Sequence, residues 1–191
     1  LHYEAWGEGT PFLFLHGFLG SGDNWRTIAR SLDLPVRYYL IDLRNHGRSP
    51  HAAEHTYPAM VEDIIELIDS EGLDRVVILG HSMGGRVGML LAMHYPERVQ
   101  GLIVGDISPA AHKPVHLPIL KALSSISLQV ERREEVEAQL ARYIPEAPIR
   151  QFLLKSLARD DEGRFYWRWN LPVLIQDYSK LTVSIEGPPY H

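Results

Sequence analysis

Apolar positions along the chain switch between two periods. Leu1–Trp6 and Phe12–Leu15 run at strand spacing on either side of Gly7-Glu8-Gly9-Thr10-Pro11, which predicts an opening hairpin. After Gly20 and Ser21, the segment Asp23–Leu32 predicts a helix with Asp23 as its N-cap. Val36–Ile41, rich in tyrosine and β-branched residues, predicts a buried strand, and a polar loop rich in glycine and histidine follows from Asp42 to His55. The next helix is the clearest: Thr56 is placed to cap it, Pro58 suits its first turn, Met60, Ile64, Leu67 and Ile68 share one face, and Gly72 ends it. Val76–Leu79 predicts a strand, Gly84–His94 a helix stopped before Pro96, and Val99–Val104 a further strand. Such alternation predicts right-handed βαβ units, hence an α/β fold with a mostly parallel sheet and helices on both faces.

From about His112 the alternation stops. Leu117–Ser127, Arg132–Tyr143 and Ile149–Leu157 read as helices separated by prolines, and Phe165–Asn170 is an aromatic cluster. Leu181–Ile185 is too short to restore a strand unit, and Gly187-Pro188-Pro189 breaks it. The expected organisation is an α/β core over 1–111, a helical cap over 112–180 and an incomplete return to the core over 181–191. The first residue is Leu1 and strand-like sequence begins at once, so the 191 residues read as a piece of a longer gene product.

Composition narrows the function classes. Hydrophobic residues make up 45% and charged residues 23%, as in ordinary globular domains. A net charge of −5 without a basic run argues against nucleic acid or an anionic membrane surface as a partner. With no cysteine, disulfides, thiolate chemistry and Cys-type zinc sites are excluded. No apolar run has the length of a membrane span and no signal-peptide pattern opens the sequence, so no stable membrane insertion is expected. A cytoplasmic location is the reading adopted, although a bridge-free secreted protein has the same composition. Oligomeric state leaves no mark.

The chemistry concentrates in Gly80-His81-Ser82-Met83-Gly84, a G-x-S-x-G motif lying directly after one predicted strand and directly before a helix. A sharp strand-to-helix turn forces the serine backbone into strained geometry, and flanking glycines relieve the crowding. Ser82 Oγ would then project at the carboxyl edge of the sheet, with the Met83 N–H as one oxyanion donor. His16-Gly17-Phe18-Leu19-Gly20 also follows a strand, and its turn is suited to supply the Phe18 N–H as a second donor. The side chain of His16 reads as a structural brace for that loop.

These motifs, together with Asp42-Leu43-Arg44-Asn45-His46-Gly47-Arg48-Ser49, resemble the α/β-hydrolase superfamily. Within it, Asn45-His46-Gly47, Tyr57-Pro58-Ala59-Met60, Asp106-Ile107-Ser108-Pro109 and Gln151-Phe152-Leu153-Leu154-Lys155-Ser156 are similar to the YbfF-type esterases and abhydrolase-11-like proteins. The resemblance runs from Phe12 to about Tyr178. It implies a serine esterase or thioesterase acting on small or fatty acyl groups, with a small-molecule acyl ester or thioester as partner and no cofactor. It also implies that Asp106 is the acid member of a triad with Ser82; the alternative is a strand-end Asp capping the next turn. After Asp106 only His112, His116 and His191 remain, and none matches the family's position for the base. The core also lacks two strand–helix units, roughly 60 residues, so the base is expected beyond residue 191 and no catalytic histidine is named.

Other residues carry weaker expectations. His81, Phe165 and Trp167 are candidates to line the substrate pocket, the alternative for the aromatics being packing of cap on core. Asp42, Arg44, His46 and Arg48 read as an ion-paired brace for their loop. His51 with His55 and His112 with His116 have i,i+4 spacing, but both pairs lie in loop-like sequence beside prolines, and no metal is expected. Glu131–Glu137 reads as a solvated helix face. Two other functions fit the same residues: a C–C bond hydrolase or perhydrolase on this scaffold, and a truncated, non-catalytic ligand-binding homologue. Dehalogenases and epoxide hydrolases of this fold use an Asp nucleophile, and Ser82 argues against both.

Overall fold

Phe12-Leu13-Phe14-Leu15 is apolar at every position because its strand is covered on both faces. In the computed structural model, which describes residues 1–189, this strand β2 (Thr10–Leu15) is the centre of a five-stranded sheet. The others are β1 (His2–Trp6), β3 (Val36–Asp42), β4 (Val76–His81) and β5 (Val99–Gly105), in the order β1-β3-β2-β4-β5. Strands β2 to β5 are parallel, and β1 runs antiparallel to β3 at one edge. Leu13 and Leu15 pack with Tyr39 and Ile41 against α2 (Tyr57–Ser70) and α3 (Met83–His94). Phe12 and Phe14 face the other way, with Tyr38, Leu40 and Ala29 of α1 (Arg26–Ser31). The expected α/β arrangement is present. At the far edge, Ile103 of β5 is 52% exposed.

The opening hairpin is not formed. Strand β3 lies between β1 and β2, pairing Tyr39 with Ala5 on one side and Leu13 on the other. Tyr38-Tyr39-Leu40-Ile41 is fully buried, so it takes an interior place that a local turn signal does not foresee. The start of β3 passes close under the turn: a Cβ on Gly9, at φ +113, would lie 2.3 Å from the Pro35 carbonyl oxygen. Nor does Asp23 cap a helix over 23–32. The segment begins as a 3-10 turn, Gly22–Trp25, fastened by the Ser21 N–H donating to Asn24 Oδ1 at 2.8 Å, while Asp23 pairs with Arg26 at 2.6 Å.

Beyond β5 the helices are α4 (Leu117–Ser125), α5 (Arg133–Leu140) and α6 (Ala147–Leu154), each shorter than its apolar spacing predicts. The predicted helix through Leu157 ends early because Leu157 pairs with Trp167, in a small antiparallel sheet of β6 (Leu157–Arg159) and β7 (Phe165–Trp167). A further helix, α7 (Leu171–Asp177), escaped the reading, since Pro172 in its first turn is a start signal and not a break. Leu181–Ile185 forms no strand. Of the predicted segment 181–191, Tyr190 and His191 lie outside the described residues. Among the described residues no helix is long and apolar enough to cross a membrane.

The two ends of this helical excursion are fastened together. The His112 N–H donates to the Thr182 carbonyl at 3.0 Å and the Ile185 N–H to the Pro109 carbonyl at 2.9 Å. Between them sits Arg86 of α3, fully buried, its guanidinium donating to the carbonyls of Ser108, Ala110, Leu181 and Val183. Arg86→Met would remove the donor shared by those carbonyls, of which Leu181 keeps the Tyr57 hydroxyl, at about 1–3 kcal/mol for each left unpaired. We expect a loss of about 4 kcal/mol and a melting temperature roughly 10 °C lower, with Arg86→Lys recovering part of it. A melting temperature within 2–3 °C of the parent, about the shift that 1 kcal/mol gives in a chain of this size, would deny the neck its role in stability.

Candidate active site

The chain leaves β2 towards β3 on one side and reaches β4 from β3 on the other, so the loops after β2 and β4 part and leave a crevice at the carboxyl edge. Backbone strain gathers at the same edge. Leu19, Asn45, Ser82 and Asp106 are the non-glycine residues with positive φ among those described, at 61°, 64°, 50° and 55°. They follow β2, β3, β4 and β5 in turn, and such strain, of order 1–3 kcal/mol each, marks functional sites.

Ser82 joins His81, the last residue of β4, to Met83, the first of α3, with φ 50° and ψ −115°. Its N–H donates to the Gly105 carbonyl at 2.9 Å and its carbonyl accepts the Arg86 N–H at 3.2 Å. The helix start abuts the end of β2, which only glycine permits at position 84: a Cβ there would lie 2.5 Å from the Leu15 carbonyl oxygen. At that contact the Gly84 N–H donates to the His16 carbonyl at 3.1 Å, so the elbow and the loop after β2 are locked side by side. Ser82 Oγ is partly exposed and makes no hydrogen bond among the described residues.

The loop after β2 is oriented by histidines. The Gly17 carbonyl accepts the Gly20 N–H at 2.9 Å and the His16 Nδ1–H at 2.8 Å, which turns the Phe18 N–H the opposite way. His16 Nε2 accepts the Leu43 N–H at 3.0 Å, which assigns its proton to Nδ1. His46 repeats the pattern, its Nε2 accepting the Leu19 N–H at 3.2 Å and its Nδ1–H donating to the Arg44 carbonyl at 3.0 Å. Burial pushes the pKa of both imidazoles down, and for His46 the neighbouring His16 and His55 add to it, so both are neutral near pH 7. Asn45, beside His46, joins the helical excursion to this frame by accepting the Asn170 N–H at 3.0 Å. The expected ion-paired brace takes another form. Asp42 accepts the backbone N–H groups of Gly22 and Arg48, and Arg44 pairs with Asp63 at 2.6 Å.

The N–H groups of Phe18 and Met83 meet no acceptor among the described residues. Both residues lie beside Ser82, where a cleft of about 350 Å³ is lined by Phe18, Trp25, Ile28, His81, His116 and Phe152. His81 is among the residues lining this cleft, with Nε2 4.0 Å from Asp106 Oδ2. The Asp106 side chain is 92% exposed and makes no hydrogen bond among the described residues. Phe165 and Trp167 do not line this cleft. Phe165 lies in a separate groove with its ring 4.1 Å from the Arg159 guanidinium carbon, and Trp167 stacks on Trp169 at 5.0 Å, because β7 pairs locally with β6. Trp25 and Ile28 replace them. They lie at i,i+3 spacing, Trp25 partly buried against Phe14 and Ile28 48% exposed, and nothing in the reading of 23–32 as a helix marks them as cleft residues. His116 was weighed only as a base or metal ligand. Among the described residues no group of three or more metal-binding side chains converges.

A hydroxyl at a strained helix start, with two N–H groups unpaired among the described residues beside it at the rim of a cleft, has the parts needed to attack a carbonyl and hold the oxyanion. Comparison with known proteins identifies the fold family. Residues 10–172 match the family model described as alpha/beta hydrolase fold. The chain is 37% identical, over 97% of its length, to the sn-1-specific diacylglycerol lipase ABHD11 of Danio rerio, covering 63% of that protein. It is 35% identical, over 88% of its length, to esterase YbfF of Escherichia coli (strain K12), covering 65% of it. The solved structure of a marine microorganism esterase superposes with a TM-score of 0.96 at 40% identity, covering 100% of this chain and 77% of that one. The chain thus spans less than two thirds of the length of these curated relatives.

Proposed function

The chain belongs to the α/β-hydrolase fold family, and on that premise we propose that it hydrolyses carboxylic esters of small or fatty acyl groups, or the matching thioesters, through an acyl-enzyme on Ser82. The observation that carries the reading is the junction of the two strand-end loops, where the Gly84 N–H meets the His16 carbonyl and sets the unpaired Phe18 and Met83 N–H groups beside one free hydroxyl. Ser82 Oγ attacks the acyl carbonyl and gives its proton to a base. The two N–H groups hold the tetrahedral oxyanion, and the alcohol or thiol leaves with that proton. Water, deprotonated by the same base, then cleaves the acyl-enzyme.

The base in this reading is a histidine from outside residues 1–191, oriented by Asp106. Among the described residues three histidines line the cleft, and none of the three is placed for the task. His16 has both nitrogens engaged. His116 has Nδ1 held by Tyr178. His81 faces the Asp106 carboxylate at a distance too long for a hydrogen bond. The helical segment 112–180 acts as a cap, with Phe152 closing the cleft over Trp25 and Ile28. The names of the relatives support ester hydrolysis, glycerolipid esters among the candidates.

A fluorophosphonate applied to the full-length gene product is expected to modify one serine, mapped by peptide mass spectrometry to Ser82. Absence of that adduct under conditions that label a control esterase would overturn the reading in favour of a non-catalytic ligand-binding homologue.

A further inference from the structure

His116 enters the cleft from the segment preceding α4, in tilted contact with Phe18, ring centroids 5.4 Å apart. Its backbone N–H donates to Tyr178 Oη at 2.9 Å, and its Nδ1 lies 2.9 Å from the same oxygen. The phenol oxygen accepts the backbone N–H, and among the described residues Nδ1 is the one acceptor within reach of its own proton, so that pairing satisfies both groups. A neutral imidazole whose Nδ1 accepts a proton carries its hydrogen on Nε2. Burial, with His112 close by, pushes the His116 pKa down and keeps the ring neutral. Nε2 has no hydrogen-bond partner among the described residues and is not among their buried unpaired atoms. The side chain is therefore a fixed neutral N–H donor on the wall of the cleft that holds Ser82. With that pairing Nε2 carries the hydrogen and serves as a donor, not as a base.

Such a donor is satisfied by water while the cleft is empty. An all-carbon substrate would displace the water and leave the N–H unpaired against Phe18 and Tyr178, whereas a substrate oxygen would replace it. Resting on the Ser82 reading above, we propose that His116 Nε2–H binds a second oxygen of the substrate, distinct from the scissile carbonyl. The preferred substrates are then esters carrying a further hydroxyl, ether or carbonyl oxygen.

The test uses matched pairs in the full-length gene product: 2-methoxyethyl against n-butyl butyrate for the alcohol side, and the corresponding ether-for-methylene pair on the acyl side. In at least one pair the parent should favour the oxygenated ester in kcat/KM, and His116→Leu should lower that ratio about tenfold. His116→Gln, which keeps an N–H donor, should restore most of it. Tyr178→Phe, which frees Nδ1 and leaves the imidazole in place, should lower the ratio partway and provides a second variant should His116→Leu not fold. Ratios in both pairs that are the same in the parent and the variants would overturn the proposal while leaving Ser82 untouched. No hydrolysis of any ester by the parent would instead remove the Ser82 reading, and this proposal with it.

Discussion

Ser82→Ala is expected to lower kcat for ester hydrolysis about 10⁶-fold, the scale seen when a nucleophilic serine is removed from a working triad. Alanine deletes only Oγ. The Cβ stays, so the φ of 50° and its strain stay too, and the bonds from the Ser82 backbone to Gly105 and Arg86 are unaffected. The thermal melt should therefore match the parent while turnover of a p-nitrophenyl ester vanishes. Residual hydrolysis from the two N–H donors alone is expected to be 10³–10⁴ over water, on the order found for other serine hydrolases. Ser82→Gly should be equally inactive yet more stable by about 1 kcal/mol, since glycine adopts this backbone without penalty. Activity above a hundredth of the parent's in Ser82→Ala would move the nucleophile elsewhere.

Asp106→Asn is expected to cost about 10⁴-fold in kcat with little change in KM, because an amide holds the partner imidazole in the wrong tautomer and cannot stabilise its cation. The contrast with stability makes the result diagnostic. Asp106 makes no hydrogen bond among the described residues, so its replacement breaks none of the bonds that hold the described fold, whereas Asp42, buried and holding two backbone N–H groups, belongs to the frame. Asp106→Glu should recover part of the rate. If Asp106→Asn retains activity within tenfold of the parent, the acid lies at another strand end.

What could be read from the residues, and what could not, follows the range of the forces involved. The strand–elbow–helix from Val76 to His94 was legible because its signals are local: a buried strand, a G-x-S-x-G turn and an apolar helix face. The pairing of β1 was not, because Gly7-Glu8-Gly9 looks like a hairpin until the demand of Tyr38–Ile41 for two covered faces is included, and that demand is set by the whole sheet. In the helical excursion, apolar spacing located α4, α5 and α6 but overran their ends, since spacing carries no stop signal. The cleft wall was the least legible part. Aromatic residues at 165 and 167 drew attention by composition, yet the residues that reach Ser82 are Trp25, Ile28, His116 and Phe152, gathered from three distant stretches of chain.

The shared anchorage of Ser108 and Ala110 with Leu181 and Val183 on one guanidinium has an evolutionary reading. A stretch whose two ends meet is, to the rest of the chain, a single large loop. Closing such a loop costs only about 0.6 kcal/mol more for each doubling of its length. Everything between the fastened ends is then free to vary in size and make-up while the sheet, the elbow and the donors at its edge stay as they are. Arg86 thus turns the excursion into a module whose length and content can change without disturbing the sheet and the elbow to which it is tied.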